Sequence, residues 1–517
     1  MFSASKEVTM LARVQSAAVV GVDAQLVDVE VQTSQGTPLM DIVGLPEMSV
    51  RESRVRVRSA IRHSDLRFPR ARVIVNLAPA DLRKEGTYLD LPVALAVLVC
   101  TEDVSADDLS GWLAVGELAL SGALRPVRGV LAVAELAQRL GLRGVICCPA
   151  NAAEAQAVPG IEVRLAGDLA SLVAALRTGV WPEVPVFPVV TAHTAQPCWS
   201  DIRGQDVAKR AMEVAAAGGH NIVMSGTPGT GKTMLARRLP GILPALTVVE
   251  ALTVTKVHSV AGLLPRGGGL LHLRPFRAPH HSGSATSLVG GGSLPRPGEV
   301  SLAHGGVLFL DELPEFPRGV VETLRQPLED GFVTIARARQ VVRFPSRFML
   351  VAALNPCPCG WAGSSVHPCR CTEAQLQRYQ SRLSGPLLDR IDIQIELHPL
   401  PSHLLRGLSR GEPTAVVQAR VARARQRQLD RYGDVSQATN ASVPMSTLRK
   451  QMPLAEGVHD VLLRALATFG LSPRAHDRIW RVAATIADLD QAVAVGVEHI
   501  AEALQYRRFD QVAMAAA

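Results

Sequence analysis

The sequence predicts an α/β fold: a parallel sheet with helices on both faces, preceded by an α+β block and followed by a helical block. Two observations predict it. Short apolar runs alternate with helical patterns across residues 198–400, as is typical of a covered parallel sheet. Residues 401–517 then carry only helical patterns. The predicted strands of the sheet are Asn221–Met224, Val307–Leu310, Phe348–Leu354 and Ile391–Leu397.

The chain of 517 residues divides into four predicted parts. Residues 1–180 mix β-rich runs with helical patterns and form the α+β domain. Residues 181–197 form a linker, because their many prolines fix φ and remove hydrogen-bond donors. Residues 198–400 form the sheet domain and 401–517 the helical lid. A glycine- and histidine-rich stretch, 261–306, is too long for a simple connection, so we expect a functional insertion or a mobile loop.

Charge and hydropathy limit the classes of function. The formal net charge is +7, from 54 basic and 47 acidic residues, which is compatible with polyanion binding without requiring it. No apolar run reaches the roughly 18 residues that a membrane span needs, and the N-terminus shows no signal-peptide pattern. We therefore expect a cytoplasmic protein without a membrane partner.

A phosphate-binding loop follows the first predicted strand of the sheet domain. The pattern G-x-x-x-x-G-K-[ST] needs glycines so that backbone N–H groups can surround phosphate oxygens at the start of a helix. Its lysine neutralises the β- and γ-phosphates, and its threonine binds Mg²⁺. The residues of the motif are Gly226, Thr227, Pro228, Gly229, Thr230, Gly231, Lys232 and Thr233.

Polar side chains end the next two long strands. Asp311 and Glu312 follow Val307–Leu310, a placement that fits a Walker B motif in which Asp311 holds Mg²⁺ and Glu312 orients or deprotonates the attacking water. Asn355 ends Phe348–Leu354 and can bridge the γ-phosphate and the water, unless it only starts a turn before a proline. The three residues and the phosphate-binding loop together predict ATP and Mg²⁺ as cofactors.

Four of the eight cysteines fall within fifteen residues as C-x-C, nine residues, C-x-C. In a reducing compartment such a cluster indicates metal rather than disulfides, and four thiolates suit structural Zn²⁺. The alternative is a set of reduced thiols in an ordered loop. The candidate ligands are Cys357, Cys359, Cys369 and Cys371.

These motifs resemble the YifB/ComM family of magnesium-chelatase-like AAA+ ATPases over nearly the whole chain. The most specific strings are FRAPHHSGSATSLVGGG, PRPGEVSLAHGGVLFLDELPEF, LRQPLEDG, LNPCPCG, SGPLLDRIDI and LSPRAHDRIWRVAATIADL. The resemblance implies an AAA+ core with a helical lid and a hexameric ring with ATP between subunits. Arg390 matches the arginine finger and Arg474 the sensor 2 arginine, with Arg382 as a nearby alternative finger.

The resemblance also implies two hairpin insertions. Residues 261–306 correspond to an insertion in the helix after the phosphate-binding loop, and 332–344 to a hairpin before Asn355. In related ring helicases such hairpins line the pore. Arg337, Arg339 and Arg343 recur in the second hairpin at alternate-strand spacing that suits a phosphate backbone, although a solvated face would carry the same residues.

Residues 1–180 resemble a Lon-protease-like (S5-like) domain, on the strings VNLAPADLRKEGTYLDLPVALAVL and GELALSGALRPVRGV. A Lon-type protease needs a serine in the first string and a lysine just after the second. Neither is present, so we interpret the block as a domain that binds or scaffolds.

The leading hypothesis is a DNA-directed ring motor, in which ATP hydrolysis drives branch migration during homologous recombination of imported DNA. It rests on the hairpin arginines, the arginine-rich lid and the inactive N-terminal domain, and branch migration is what the family resemblance implies. The alternative is a chelatase-like ATPase that drives metal insertion or remodels a protein. A third class, an ATP-dependent protease, is disfavoured by the missing catalytic pair.

Overall fold

The computed structural model describes residues 10–84, 86–185, 197–265, 268–292, 295–337, 340–364, 367–382, 385–400, 410–433 and 438–507. These residues cluster into two compact units. The first contains the described part of Met1–Thr191 together with Val248–Leu271, and the second contains the rest. Most of the predicted linker at 181–197 lies outside the described residues.

The first unit contains two sheets and a short hairpin. Strands β1 and β2 form a long antiparallel pair, β4 adds antiparallel to β2, and β3 lies parallel to β4. Strands β5, β8 and β9 are parallel, and β6 pairs with β7. The strands are β1 (Leu11–Val20), β2 (Asp23–Ser34), β3 (Met40–Val43), β4 (Arg72–Ala78), β5 (Trp112–Ala114), β6 (Glu117–Leu118), β7 (Leu124–Arg125), β8 (Gly144–Cys147) and β9 (Glu162–Leu165).

Helices pack on these sheets around an apolar core. The helix Asp90–Cys100 is almost entirely buried, which explains why its sequence is apolar on every side. The other helices of the unit are Met48–Arg51, Ser53–His63, Ala106–Leu109, Val130–Arg139, the 3₁₀ turn Pro149–Asn151, Ala152–Ala155, Leu169–Thr178 and Val248–Ala261.

The helix Val248–Ala261 is distant in sequence from the rest of the first unit. Its side chains at Ala251, Val254 and Val257 are buried. Lys256 forms ion pairs with Glu135 at 2.7 Å and with Asp23 at 3.1 Å. The segment therefore belongs to the first unit although it follows the phosphate-binding loop in the chain.

The second unit is built on a five-stranded sheet in the order β11-β14-β17-β10-β18. All four strand pairings are parallel, so the carboxyl ends of β14, β17 and β10 lie side by side. Strands β14, β17 and β10 are fully buried, as their continuous apolar sequences predict. The strands are β10 (Ile222–Gly226), β11 (Phe276–Arg277), β14 (Val307–Leu310), β17 (Met349–Leu354) and β18 (Ile393–Leu397).

Two antiparallel pairs lie outside this sheet. β12 (Gly290–Gly291) pairs with β13 (Arg296–Pro297), and β15 (Phe332–Arg337) pairs with β16 (Gln340–Pro345). The second pair is the hairpin predicted over 332–344. The stretch 261–306 was expected to be an insertion or a loop, and it also contains β11, which forms one edge of the five-stranded sheet.

The helices of the second unit cover the sheet and form the C-terminal helical part. No described helix has the length and apolarity that crossing a bilayer requires. The helices are Trp199–Asp201 (3₁₀), Asp206–Gly218, Lys232–Ile242, Ala285–Val289, Glu299–Leu302, Leu313–Glu315 (3₁₀), Arg318–Glu322, Arg325–Asp330, Glu373–Gln380, Gly385–Leu388, Thr414–Tyr432, Met445–Gln451, Val458–Thr468, Pro473–Leu489 and Val497–Gln505.

A buried polar chain ties the helix Pro473–Leu489 to the sheet. The ring of His220, which is fully buried, lies with Nδ1 3.0 Å from Asp392 Oδ2 and Nε2 2.8 Å from Thr485 Oγ1. Burial opposes ionisation of Asp392, but the contacts with His220 and nearby arginines hold the pKa of this carboxyl below its usual value. The long C-terminal helix is thereby fixed at the amino end of β10 and β18.

Candidate active site

The phosphate-binding loop lies between β10 and the helix Lys232–Ile242. Gly229 and Gly231 have φ values of 82° and 94°, which residues that carry a Cβ rarely adopt. At Gly226 a Cβ would lie 2.7 Å from the carbonyl oxygen of Leu397 on β18, so the close strand spacing requires glycine. The loop can therefore turn its N–H groups inward and deliver the following lysine at the start of a helix.

The ammonium of Lys232 lies among oxygen atoms. Its Nζ donates to the carbonyl oxygens of Gly226 and Thr227 and, over 3.1 Å, to Asn355 Oδ1. Burial lowers the pKa of Lys232, while the charges of Asp311 and Glu312 act in the opposite direction. A site that offers a partly buried cation to oxygen acceptors fits the β- and γ-phosphates of a nucleotide.

Thr233 and Asp311 face each other across the sheet edge. Thr233 Oγ1 donates to Asp311 Oδ2 over 2.8 Å, so the hydroxyl and the carboxylate converge on one point. Hydroxyl and carboxylate oxygens are the ligands that Mg²⁺ prefers, with its remaining positions filled by water and phosphate. The two residues fit a Mg²⁺ ion bound together with a triphosphate.

Glu312 lies beside Asp311, just after β14. Its backbone adopts a left-handed conformation with φ of 54°, and its N–H donates to Asp311 Oδ1 over 3.1 Å. Its Oε2 lies 3.4 Å from Nδ1 of His281, and half of its side chain is exposed. The carboxylate that we expect to activate water is thus in contact with an imidazole.

Arg390 and Arg474 lie together at the opposite edge of the sheet. The Nδ2 of Asn221, just before β10, donates to the carbonyl oxygen of Arg390 over 3.0 Å. The five steps from Asn221 to Gly226 at the rise of a β-strand separate the two edges by roughly 16 Å. Arg474 Nη1 bonds Asp389 Oδ2 over 2.8 Å, so both arginines are remote from the phosphate-binding loop of their own chain.

Several charges share this amino edge. Arg390 forms an ion pair with Glu329. Burial lowers the pKa of Arg390, and the positive charges of Arg325, Arg478 and Arg474 lower it further. Arg325, Arg390, Arg474 and Arg478 therefore lie near one another, and each is paired with a carboxylate, of Glu322, Glu329, Asp389 and Asp392 respectively.

The three hairpin arginines are only partly described. Arg343, on β16 opposite Thr334, is exposed, and its guanidinium lies 4.9 Å from the ring centre of Phe332. The side chain of Arg337 and all of Arg339 lie outside the described residues.

The four clustered cysteines converge as predicted. All four Sγ atoms lie within 4.8 Å of one another, with Cys357–Cys359 at 3.3 Å and Cys369 at 3.7 Å from each of these two. Zinc–sulfur bonds of about 2.3 Å at tetrahedral angles place sulfurs roughly 3.8 Å apart. The set, completed by Cys371, fits one Zn²⁺ ion.

Sequence reasoning did not assign some residues that contact the site. Gln205 donates through Nε2 to the carbonyl oxygens of Thr230 and, over 2.9 Å, of His398, and so holds the phosphate-binding loop. His281 and Glu329 contact Glu312 and Arg390. The histidine pair in the FRAPHHSG string was the available signal for His281, whereas nothing local in the sequence pointed to Gln205 or Glu329.

Three family profiles match the chain. Residues 198–405 match "Magnesium chelatase, subunit ChlI", residues 29–151 match "Subunit ChlI of Mg-chelatase", and residues 411–507 match "Magnesium chelatase, subunit ChlI C-terminal". Together they extend over both units.

Full-length relatives also match. The chain is 43% identical to the uncharacterized protein YifB of Salmonella typhimurium, over 97% of this chain and 98% of the relative. It is 44% identical to the competence protein ComM of Haemophilus influenzae, over 96% of this chain and 97% of the relative. A magnesium-chelatase 67 kDa subunit of Chlorobaculum parvum is 29% identical over 31% of this chain and 23% of its own length.

We expect two variants of the site to fail at different steps. Lys232→Ala removes the ammonium group that neutralises the phosphate charge, and it should abolish binding of ATP. Glu312→Gln should keep ATP bound with Mg²⁺ but lower turnover by about 10²- to 10⁴-fold, the usual contribution of a general base. Fluorescent-nucleotide binding and phosphate release measured on both proteins separate these outcomes. Equal loss of binding in both variants would contradict the assigned roles.

Proposed function

Because the chain belongs to the YifB/ComM family of magnesium-chelatase-like proteins, we propose that it is an ATP-hydrolysing ring motor that acts on DNA. The observation that carries the ATPase is the convergence of Lys232, Thr233, Asp311 and Asn355 at one sheet edge, with Glu312 next to them. Lys232 neutralises phosphate charge, Thr233 and Asp311 hold Mg²⁺, Asn355 orients the γ-phosphate, and Glu312 activates water.

The separation of the two sheet edges supports action between subunits. Arg390 and Arg474 lie roughly 16 Å from the phosphate-binding loop of their own chain, by the rise of a β-strand, so we infer that they serve the loop of a neighbour. A head-to-tail contact that places the amino edge of one copy against the nucleotide of the next generates a ring when the rotation closes. We propose a homo-hexamer in which Arg390 acts as the arginine finger and Arg474 as sensor 2.

DNA is the proposed substrate of the motor. Exposed Arg343 on the β15–β16 hairpin and the net charge of +7 favour a polyanion, and one relative is named a competence protein. We propose branch migration of DNA in recombination as the activity and the cytoplasm as its location. The N-terminal unit, as a Lon-like domain without the catalytic pair, would bind or scaffold.

A chelatase-like remodelling ATPase is the second candidate. The family profiles carry the name of a magnesium chelatase subunit, and a chelatase subunit matches part of the chain. In that case the ring would drive metal insertion or remodel a protein partner, and DNA would leave its ATPase rate unchanged.

We also propose that the four clustered cysteines bind structural Zn²⁺. Cys357 lies two residues after Asn355, and the same loop approaches the phosphate-binding loop, because a Cβ on Gly360 would lie 2.9 Å from the ring of Pro228. The ion would therefore brace the loop that carries Asn355. Its tetrahedral set leaves no open position for catalysis.

The DNA-directed function predicts an ATPase that responds to DNA. Single-stranded, double-stranded and branched DNA should each be compared for stimulation of phosphate release. Arg343→Glu should weaken DNA binding and reduce its salt dependence by about one unit of slope in log K against log salt, because one phosphate contact is lost. Arg62→Glu, which makes the same charge change on the exposed face of the helix Ser53–His63, outside the hairpin and the lid, is the matched control. Absence of binding and of stimulation at low salt would exclude a DNA motor.

Arg390→Ala should lower turnover by about 10³-fold or more, as loss of an arginine finger does, with little change in ATP affinity. Because the finger acts on a neighbour, mixed rings of Arg390→Ala and Lys232→Ala subunits should regain part of the activity. Phosphate release measured across mixing ratios tests this. Failure of every mixture to recover activity would place Arg390 in the site of its own chain.

The purified protein should contain about one zinc per chain, the amount that four thiolates hold in a closed site. Cys359→Ser and Cys371→Ser should lower that content, whereas Cys198→Ser, a cysteine outside the cluster, should leave it unchanged. Elemental analysis after chelator-free purification gives the measurement. A metal-free protein in which all four thiols react readily with a thiol reagent would contradict the zinc site and would leave reduced thiols in an ordered loop.

A further inference from the structure

A basic cavity lies beside the four clustered cysteines. It has a volume of 510 Å³, which is typical of a ligand site, and three arginines line it from two sides. Arg370 comes from the cysteine loop, whereas Arg378 and Arg382 come from the helix Glu373–Gln380 and the turn after it. All three residues are exposed, so their guanidinium groups are accessible to a ligand.

The local sequence fixes where these arginines start. Residues three or four positions apart share one face of a helix, so Arg378 and Arg382 project from the same side. The N–H of Arg382 donates to the carbonyl oxygen of Tyr379 over 3.2 Å and continues the helical turn. Arg370 stands between two of the clustered cysteines, whose Sγ atoms all lie within 4.8 Å of one another. Both sides of the cavity therefore rest on ordered backbone.

Carboxylates do not balance the charge of the cavity. Arg382 Nη1 pairs with Glu315 Oε2 at 3.2 Å, but both side chains are about half exposed, and such pairs contribute little. In the part of the chain that the structure describes, no carboxylate pairs with the guanidinium of Arg370 or Arg378. These two groups are therefore open to an anion.

The sulfur atoms of the cluster are the alternative partners, because a metal ion held by four thiolates has a net negative charge. Backbone N–H groups already bond these sulfurs. That of Ala362 donates to Cys357 Sγ over 3.2 Å, and those of Trp361 and Arg370 bond Cys359. Since the main chain stabilises the sulfur charge, the guanidinium groups remain available for another ligand.

The inner wall of the cavity reaches the nucleotide site. Tyr379, a buried residue, lines the cavity. Burial raises the pKa of Tyr379 to about 12, against a hydrogen bond from the backbone of Asn355 that lowers it. The side chain of Asn355 in turn accepts from Lys232 over 3.1 Å. A ligand in the cavity therefore lies one side chain away from the residue that contacts Lys232.

We propose that Arg370, Arg378 and Arg382 bind a phosphate group in this cavity, and that DNA supplies it. Guanidinium groups match phosphate oxygens with paired N–H donors, and phosphate contacts supply a large share of the affinity of proteins for DNA. The inference rests on the proposed function for the identity of the ligand. It adds a second contact with DNA, on segments of the chain other than the β15–β16 hairpin.

Modification with phenylglyoxal, which reacts with accessible guanidinium groups, tests the site in the full-length protein. Mass spectrometry gives the modified fraction of each arginine without ligand, with single-stranded DNA and with pyrophosphate. DNA should protect Arg370 and Arg378, because a bound phosphate occupies the same N–H donors. Arg54 and Arg62, exposed on the helix Ser53–His63, are internal controls and should stay reactive.

The double variant Arg370→Gln with Arg378→Gln should bind DNA more weakly. Its slope of log K against log salt should fall by roughly two units, because two phosphate contacts are lost. The pair Arg54→Gln with Arg62→Gln removes the same charge elsewhere and should leave the slope unchanged. Both variants should keep the zinc content of the wild type. Loss of zinc from the first variant alone would show that its arginines balance the charge of the cluster, and would overturn the inference.

The outcomes separate this inference from the proposed function. If DNA binds but leaves Arg370 and Arg378 as reactive as before, the cavity is not a DNA contact and the inference is overturned. If DNA does not bind at all, the proposed function fails. Protection by pyrophosphate would in that case identify a site for free phosphate compounds, and the absence of protection would overturn the phosphate site as well.

Discussion

The positive charge of Lys232 is the constraint on which the architecture of the second unit depends. A partly buried ammonium is tolerable only where oxygen acceptors surround it. The sheet supplies them because β14, β17 and β10 are adjacent and parallel, so that Asp311, Asn355 and the phosphate-binding loop all emerge at one edge. A change in strand order would separate these groups, however well each element folded by itself.

The core strands could be predicted because each is a continuous apolar run, and Val307–Leu310 has the same bounds in sequence and structure. The helix Pro473–Leu489 lies in the stretch 401–517, for which the sequence likewise predicted helices. Strand β11 could not be found, because its two residues are too short for any periodic signal. The placement of Val248–Ala261 in the first unit escaped prediction for another reason: burial against distant residues leaves no trace in the local sequence.

Some residues of the candidate site could likewise be predicted from the sequence, and others could not. The phosphate-binding loop and the two carboxylates are predictable because their chemistry fixes their spacing, and the structure brings Lys232, Asp311 and Asn355 together. The grouping of Arg390 and Arg474 at the opposite edge follows from how the C-terminal helix packs, through His220 and Asp392, and this packing is a tertiary property. Contacts such as that between His281 and Glu312 depend on the same long-range geometry.

The helix Val248–Ala261 has a practical consequence for dissecting the protein. A shortened chain that begins at Ala192 would keep this helix but lose the surface that buries Ala251, Val254 and Val257, and Lys256 would lose both of its carboxylate partners. Such a fragment would present an apolar stripe to water and would tend to aggregate. An isolated ATPase fragment therefore also requires that the internal segment Val248–Leu271 be deleted and replaced with a short polar loop.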